Sequence, residues 1–448
     1  VQYWCEHAWL GGPAASAGVL LDTRAGTITS VAAGVPCPRD AVHLRGLTLP
    51  GLANTHSHAF QRALRGRTET GGGSFWTWRE QMYALAATLD PDSMRRLARA
   101  TFAEMVQAGI TCVGEFHYLH HAPGGACYSD RLAMEAAVVT AAREAGLRIT
   151  LLDACYLHGG IGSELSDVQR RFSDGDVTRW VERVTHASDR LSSPAVRVGA
   201  AAHSVRALAP PDIAAVAAWA HANDAPVHAH VSEQQLENEQ CVAAYGITPI
   251  ALFAREGMLS PRFSAVHATH VADADVALLA AAGAGVSLCP TTERDLADGI
   301  GPAARLRMAG LAVTVGSDSQ ATIDVLAEAR LVDLHERLAG GPRGVHTAAE
   351  LAAMATVNGH RALGWEHAGR LAVGAPADLV SVRLDSVRTA GSSGESVLDA
   401  VMFAATAADV HHVVVDGEVV VRDGRHVRID VAGELAASIG AVREALGR

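Results

Sequence analysis

His56, Ser57 and His58 close an apolar run, LTLPGLANTHSH (47–58). In a β-strand the side chains at i and i+2 share one face, about 7 Å apart, so two imidazoles converge on one point. Alone, H-x-H is a weak signal, but other runs end in matching groups. HAHVSEQ carries His228 and His230 on one face, with Glu233 just beyond. His230 is nearer the end of its run and is the candidate ligand; His228 belongs to a lower, packed layer. VHATH carries His267 and His270, which are three apart and cannot share a face. In VGSDS the inward alternation reads Thr314, Gly316, Asp318. His56, His58, His230 and Asp318 suit one divalent ion, zinc first and iron second, with positions left for water. Such an ion makes a nucleophile of water near neutral pH.

These groups need elements that bring strand ends together. From about 47 to 320, eight apolar runs alternate with amphipathic segments: 47–58, 110–119, 147–157, 195–205, 225–232, 263–271, 284–290 and 311–319. Gly109, Gly146 and Gly283 stand where helix C-cap glycines belong, just before the next run. Near-continuous apolar strands alternating with helices indicate a parallel sheet covered on both faces. Eight such units suit an α/β fold of the (β/α)8 TIM-like barrel type, whose active sites lie at the C-terminal mouth. The first strand is followed by ANTHSHAF and not by a dinucleotide-binding G-x-G-x-x-G. The two ends offer short β-like runs, including a hairpin around Asp416-Gly417. Neither end could bury a core alone, so both together are expected to build one small β-sandwich domain. The expected division is residues 1–47 and 366–448 for that domain, closed by a terminal helix, and 48–365 for the barrel.

Composition removes several mechanisms. All 37 basic residues among the 448 are arginine. Schiff-base chemistry, a P-loop lysine and a carbamylated lysine bridging two metals are thereby excluded. No G-x-S-x-G or H-E-x-x-H occurs. A net charge of −11 argues against a nucleic-acid partner and a basic membrane-surface role. The seven cysteines are scattered without a C-x-x-C pair, which suits a reducing compartment and buried thiols. With no basic-then-apolar start and no bilayer-length apolar run, a cytoplasmic protein without a membrane partner is expected.

PGLANTHSHAFQRALRG, AEMVQAGITCVGEFHYLHH, VHAHVSEQ, VHATHV, LCPTTERDLADG and GSDSQ resemble the amidohydrolase superfamily, in order from about 47 to 340. FWTWRE, EFHYLHH and AHSVRA are similar to the subgroup that deiminates N-formimidoyl-L-glutamate. The resemblance implies His56, His58, His230 and Asp318 as ligands of the ion, and Glu233 and His267 as the acid/base and water-orienting pair. Asp318 would touch both ion and water. It further implies hydrolysis of N-formimidoyl-L-glutamate to N-formyl-L-glutamate and ammonia in histidine degradation, by a homodimer.

A small anionic substrate with two carboxylates calls for arginine forks. Arg79 in FWTWRE and Arg206 in AHSVRAL are the candidates. Gln61, His203 and Tyr118 could hydrogen-bond the formimidoyl or carboxylate groups. Members with two metals use a lysine or another bridging carboxylate at strand four; AVRVGAAAHSV has no Lys, Asp or Glu, so one ion is expected. His117, His120 and His121, lacking an evident carboxylate companion in sequence, are read as ordering a loop. A same-fold rival, a deaminase of a nucleobase or other cyclic amidine, would favour aromatic stacking, and 5% aromatic residues lean against it. An inactive, binding-only relative would lack a ligand or Glu233, and both are present.

Overall fold

The computed structural model describes residues 1–68 and 75–447. Four strands come first: β1 (Gln2–Ala8), β2 (Ser16–Arg24), β3 (Thr27–Ala32) and β4 (Val42–Pro50). Eight follow with helices between them: β5 (Leu52–Ser57), β6 (Ile110–His117), β7 (Arg148–Cys155), β8 (Val196–Ala202), β9 (Val227–Val231), β10 (Phe263–His267), β11 (Gly285–Leu288) and β12 (Ala312–Val315). The chain then returns through β13 (Leu379–Val382), β14 (Val410–Val415), β15 (Glu418–Arg422) and β16 (Arg425–His426), and ends in the helix Val431–Leu446.

Strands β5 to β12 pair in sequence order, all parallel. Every residue of β5, β6, β7, β9 and β10 is buried. That explains their near-continuous apolar character, since barrel strands are covered by side chains within and helices without. The sheet closes at the mouth, where Ser57 bridges Asp318. There the Asp318 amide donates to His56 O (3.0 Å) and the His58 amide to Asp318 O (3.1 Å). Gly316 is required at this seam, because a Cβ there would lie 2.8 Å from His56 backbone atoms.

The other eight strands make one sheet in the order β16-β15-β14-β13-β4-β1-β2-β3, so both ends of the chain contribute. It curls on itself around Tyr3, Cys5, Val19, Leu21, Ile28, Leu44, Leu379 and Val414. The curl brings the β2–β3 turn against the β14–β15 turn, Gly26 packing on Asp416 and Gly417, and Ala377 ties the two, its amide donating to Gly26 O (2.7 Å) and its carbonyl accepting from the Gly417 amide (3.0 Å). Asp416 and Gly417, with φ of 54° and 77°, form the hairpin turn that their sequence indicates.

One element differs from expectation. Residues 47–58 are not one strand: the chain changes sheets at Gly51. The Gly51 amide donates to Asp378 O (2.8 Å) and that of Leu52 to Gly109 O (3.1 Å). A Cβ at Gly51 would lie 2.1 Å from Thr111 Oγ1, so only glycine fits the crossing. The thiols also differ: five of the seven are buried, but Cys37 and Cys127 are exposed. No helix among the described residues is long and apolar enough to cross a membrane.

Candidate active site

β5, β9 and the turn after β12 bring four donor atoms together at the barrel mouth. His230 Nε2 lies 3.1 Å from His56 Nε2 and 3.3 Å from His58 Nε2. Asp318 Oδ1 is 3.2 Å from His56 Nε2 and 3.4 Å from His58 Nε2. His58 Nδ1–H donates to Phe116 O (2.8 Å) and His230 Nδ1–H to His203 O (2.9 Å). A carbonyl only accepts, so in the neutral rings both Nε2 atoms present lone pairs, and these face each other. Burial pushes His56 down to about 3 and lowers His58 and His230, keeping the rings neutral. Burial alone would raise Asp318, but its hydrogen bond to His56 and the nearby His267 and His58 hold it well below the usual carboxylate range.

Opposed lone pairs beside a carboxylate need a cation between them. Bonds of about 2.0–2.1 Å to a tetrahedral ion put ligand atoms about 3.3 Å apart, which is the spacing found here. The residues therefore fit a zinc-like ion. His267 also stands close, with His56, His230 and Asp318, all within 4.8 Å. Its Nε2 lies 3.7 Å from Glu233 Oε1 and 3.8 Å from Asp318 Oδ2. Its Nδ1 faces Glu293 Oε1 at 3.3 Å. Burial opposes a charge on His267, but Glu233, Glu293 and Asp318 outweigh it and push the ring up to about 10. His58 fits the cage and His267 sits beside it.

Backbone geometry aims these groups. His267 and Asp318 have φ of 69° and 44°, as do few residues other than glycine. Such strain costs about 1–3 kcal/mol per residue and is tolerated where surroundings over-determine it. Asp318 reaches the site through this turn, β12 having ended at Val315, and not by strand alternation. His228 lies a layer below with its Nε2 3.2 Å from Ala362 O, and His270 turns away, its Nε2 donating to Asp298 O (2.8 Å).

Above the cage opens a cavity lined by Gln61, Arg79, Tyr118, His203, Arg206 and Glu233 as well as His58, His230, His267 and Asp318. Gln61 Nε2 donates to Tyr118 Oη (3.0 Å), while its buried Oε1 has no partner. Arg79 stacks on Trp76 and Tyr83, 4.6 and 5.4 Å from their ring centroids. Arg206 Nη2 is 3.4 Å from Glu233 Oε2. Burial and then the charges of Arg206, His58 and Arg79 drive His203 well below its ordinary value.

Phe75, Trp78, Tyr83, Tyr118, Tyr156 and Phe172 also line the cavity. The low overall aromatic content therefore does not describe this site: separate segments concentrate aromatic rings at one place. The loop histidines need a similar correction, because carboxylates do accompany them in space. His120 Nδ1 lies 2.7 Å from Glu135 Oε1 and its Nε2 donates to Ala154 O (2.9 Å). His121 Nε2 donates to Asp174 Oδ1 (3.1 Å), while His117 Nε2 is 3.9 Å from Glu135 Oε1. Buried Arg183 binds Glu135 (2.8 Å), Asp153 (2.6 Å) and Asp174 (2.8 Å). A guanidinium thus holds these acids, and the amides of His120 and His121 both donate to Arg171 O (3.1 and 3.0 Å) beside cavity-lining Phe172.

Glu115, Glu237 and Glu293 escaped sequence reasoning, since none belongs to a spacing motif. Glu115 and Ser57 share a hydrogen bond of 2.6 Å, and the Ala59 amide donates to Glu115 Oε1 (2.7 Å). Glu115 and Glu293 fall inside EFHYLHH and LCPTTERDLADG, which carry the resemblance, but Glu237 lies in a polar stretch that gives no signal.

Residues 47–420 match the amidohydrolase family. The chain belongs to the amidohydrolase family. Among its relatives, the formimidoylglutamate deiminase of Pseudomonas aeruginosa is 38% identical over 86% of this chain and 87% of its own length. The 5-methylthioadenosine/S-adenosylhomocysteine deaminase of Natronomonas pharaonis is 30% identical over 93% of this chain and 91% of its own. The crystal structure of an amidohydrolase from Brucella melitensis superposes with a TM-score of 0.91 at 33% identity, covering 99% of both chains. The barrel with a β domain built from both termini is thus an amidohydrolase architecture, and the mouth is where its hydrolytic site is expected.

Proposed function

We propose that this amidohydrolase converts N-formimidoyl-L-glutamate and water to N-formyl-L-glutamate and ammonia, with His56, His58, His230 and Asp318 holding one zinc ion. The observation that carries the reading is two arginines, Arg79 and Arg206, facing one cavity whose floor is the His-Asp cage. Cations above a hydrolytic centre suit an amidine bearing carboxylates. The identity to a formimidoylglutamate deiminase supports the same choice. β8 carries no acidic residue to bridge a second ion, which favours one.

Zinc in the cage supplies the acidity that makes water a nucleophile at neutral pH and a counter-charge for the attacked group. The protein's own groups do the rest. Arg79 and Arg206 grip the carboxylates, and Gln61 Oε1 and Tyr118 Oη orient the formimidoyl group. Asp318 Oδ2 and His267 Nε2 align the water. Glu233, between Arg206 and His267, takes a proton from it and delivers one to the terminal nitrogen. The carbon gains a C–O bond; as Glu233 moves the second proton from the new hydroxyl to the same nitrogen, the C–N bond to it breaks, the carbonyl forms and ammonia leaves.

The test is ammonia release by zinc-loaded protein from N-formimidoyl-L-glutamate, N-formimidoyl-L-aspartate, S-adenosylhomocysteine and 8-oxoguanine. Turnover of formimidoyl dicarboxylates is the expected result. Turnover confined to the purines would replace this reading with a nucleoside or nucleobase deaminase, which the aromatic lining could serve.

A further inference from the structure

In the structure the guanidinium of Arg206 is already engaged. Nη2 lies 3.4 Å from Glu233 Oε2 and Nε 3.7 Å from Glu237 Oε2. The Nε–Nη2 pair is one of the forked edges that arginine offers to carboxylates; here Nη2 donates to Glu233, while Nε faces Glu237 without a hydrogen bond. Those two acids differ in position. Glu237 is buried, lies outside the cavity lining, and accepts the Ser232 amide at 3.4 Å. Glu233 lines the cavity and turns its other oxygen toward His267. One acid can balance the arginine's charge while the other does chemistry.

The contact lengths separate a structural pair from a breakable one. Arg183 reaches Asp153 at 2.6 Å and Asp174 at 2.8 Å, and Arg148 reaches Asp378 at 2.8 Å. Such lengths are those of tight charge-assisted bonds. The contacts of Arg206, at 3.4 and 3.7 Å, are slack.

We propose that Arg206 is a latch on Glu233 that a substrate carboxylate opens. This rests on the reading above of Glu233 as proton carrier and Arg206 as carboxylate clamp. In the substrate-free site Nη2–H points at Glu233 Oε2 and holds that carboxylate away from the leaving nitrogen. A carboxylate binding the Nη1–Nη2 edge takes the other Nη2 hydrogen and draws the guanidinium toward itself, lengthening the slack contact to Glu233. Glu237, 3.7 Å from Nε, keeps an opposite charge beside the guanidinium as it swings, and Glu233 is released to move a proton. The carboxylate is then selected in the chemical step, through kcat, as well as in binding.

Formamidine tests this, because it has the reacting amidine and no carboxylate: formamidine plus water gives formamide plus ammonia. Glutarate supplies the missing carboxylates as a separate piece. With zinc-loaded wild type, glutarate should raise formamidine kcat about tenfold, the effect of removing one weak charge-assisted hydrogen bond. Arg206→Gln should hydrolyse formamidine about tenfold faster than wild type without glutarate, and glutarate should no longer stimulate it. The double variant Arg206→Gln/Glu237→Gln, which leaves no buried unpaired acid, should behave alike. Stimulation by closure of the cavity alone would instead leave both variants at or below the wild-type basal rate. That outcome, inhibition by glutarate, or no formamidine turnover in any arm overturns the latch. A wild type inactive on N-formimidoyl-L-glutamate would refute the proposed substrate, whereas activity there with failed formamidine arms would refute only the latch.

Discussion

Replacing Glu115 by alanine leaves every proposed ligand in place and removes what holds two of them. Glu115 is buried on β6, its carboxyl bonded to the Ser57 hydroxyl (2.6 Å) and the Ala59 amide (2.7 Å), the residues that bracket His58. The chain of bonds continues across the barrel seam. Gln320 Nε2 donates to Ser57 Oγ (2.9 Å), Ser317 Oγ to Gln320 Oε1 (2.7 Å), and Asn54 Nδ2 to Ser317 Oγ (2.7 Å). Asp318 therefore lies between two residues tied to the strand that carries His56 and His58. Alanine strands the Ala59 amide in the interior, costing about 1–3 kcal/mol, and the lost Ser57 partner adds about 1 kcal/mol. At about 2.1 cal/mol/K per residue, 448 residues melt with an entropy of about 0.9 kcal/mol/K. The expected fall in Tm is thus about 2–4 °C. Outer-shell supports of this kind change metal affinity by about 10–100-fold. Chelator competition should show zinc binding weakened by that factor, and calorimetry the modest drop in Tm. An affinity within twofold of wild type, with Tm lowered, would refute the argument that this network sets the cage.

Other outcomes follow from the same distances. Burial pushes Glu115 up to about 8, against the pull of its bonds to Ser57 and Ala59; the folded state therefore binds more protons than the unfolded one between the ordinary carboxylate range and about 8. Stability should fall as pH rises through that window, and Glu115→Gln, which cannot ionise, should gain on wild type from pH about 5 to about 9 in denaturant titrations. Stripping the metal should lower Tm by about 4 °C relative to protein held at free zinc of about 1,000 times Kd, because that ligand excess is worth about 4 kcal/mol. Glu233→Gln should lower kcat by about 10²–10⁴-fold with zinc content unchanged, measured by ammonia release and elemental analysis. Arg183→Met leaves Glu135, Asp153 and Asp174 buried without their cation, and thermal unfolding should show a loss of about 3–5 kcal/mol.

The chemistry was largely legible because it is written locally. Period-two spacing puts His56 and His58 on one face, and the apolar runs mark eight strands whose ends face one way. The Asp416-Gly417 turn and the C-cap glycines announce themselves by backbone need. Where alternation was extended past a strand end it brought Asp318 to the mouth by a route the backbone does not take: Asp318 arrives by a left-handed turn. The run 47–58 concealed a change of sheet, since a buried strand of either sheet is equally apolar. The loop histidines showed no acidic companions because Glu135, Asp153 and Asp174 are distant in the chain.

The sequence by itself determined the donor types, their order along the chain, the absence of any lysine and the class of barrel that carries them. Those follow from residue identity and from periodicities of two and 3.6, which act over a few bonds. Only the tertiary structure decided that the lone pairs of His58 and His230 oppose one another at 3.3 Å, that aromatic rings gather over the cage, and that Arg206 rests on Glu233. Each depends on closure of the sheet between β12 and β5 and on backbone turns at strand ends. Closure joins residues more than 250 positions apart, a distance across which no local pattern carries information.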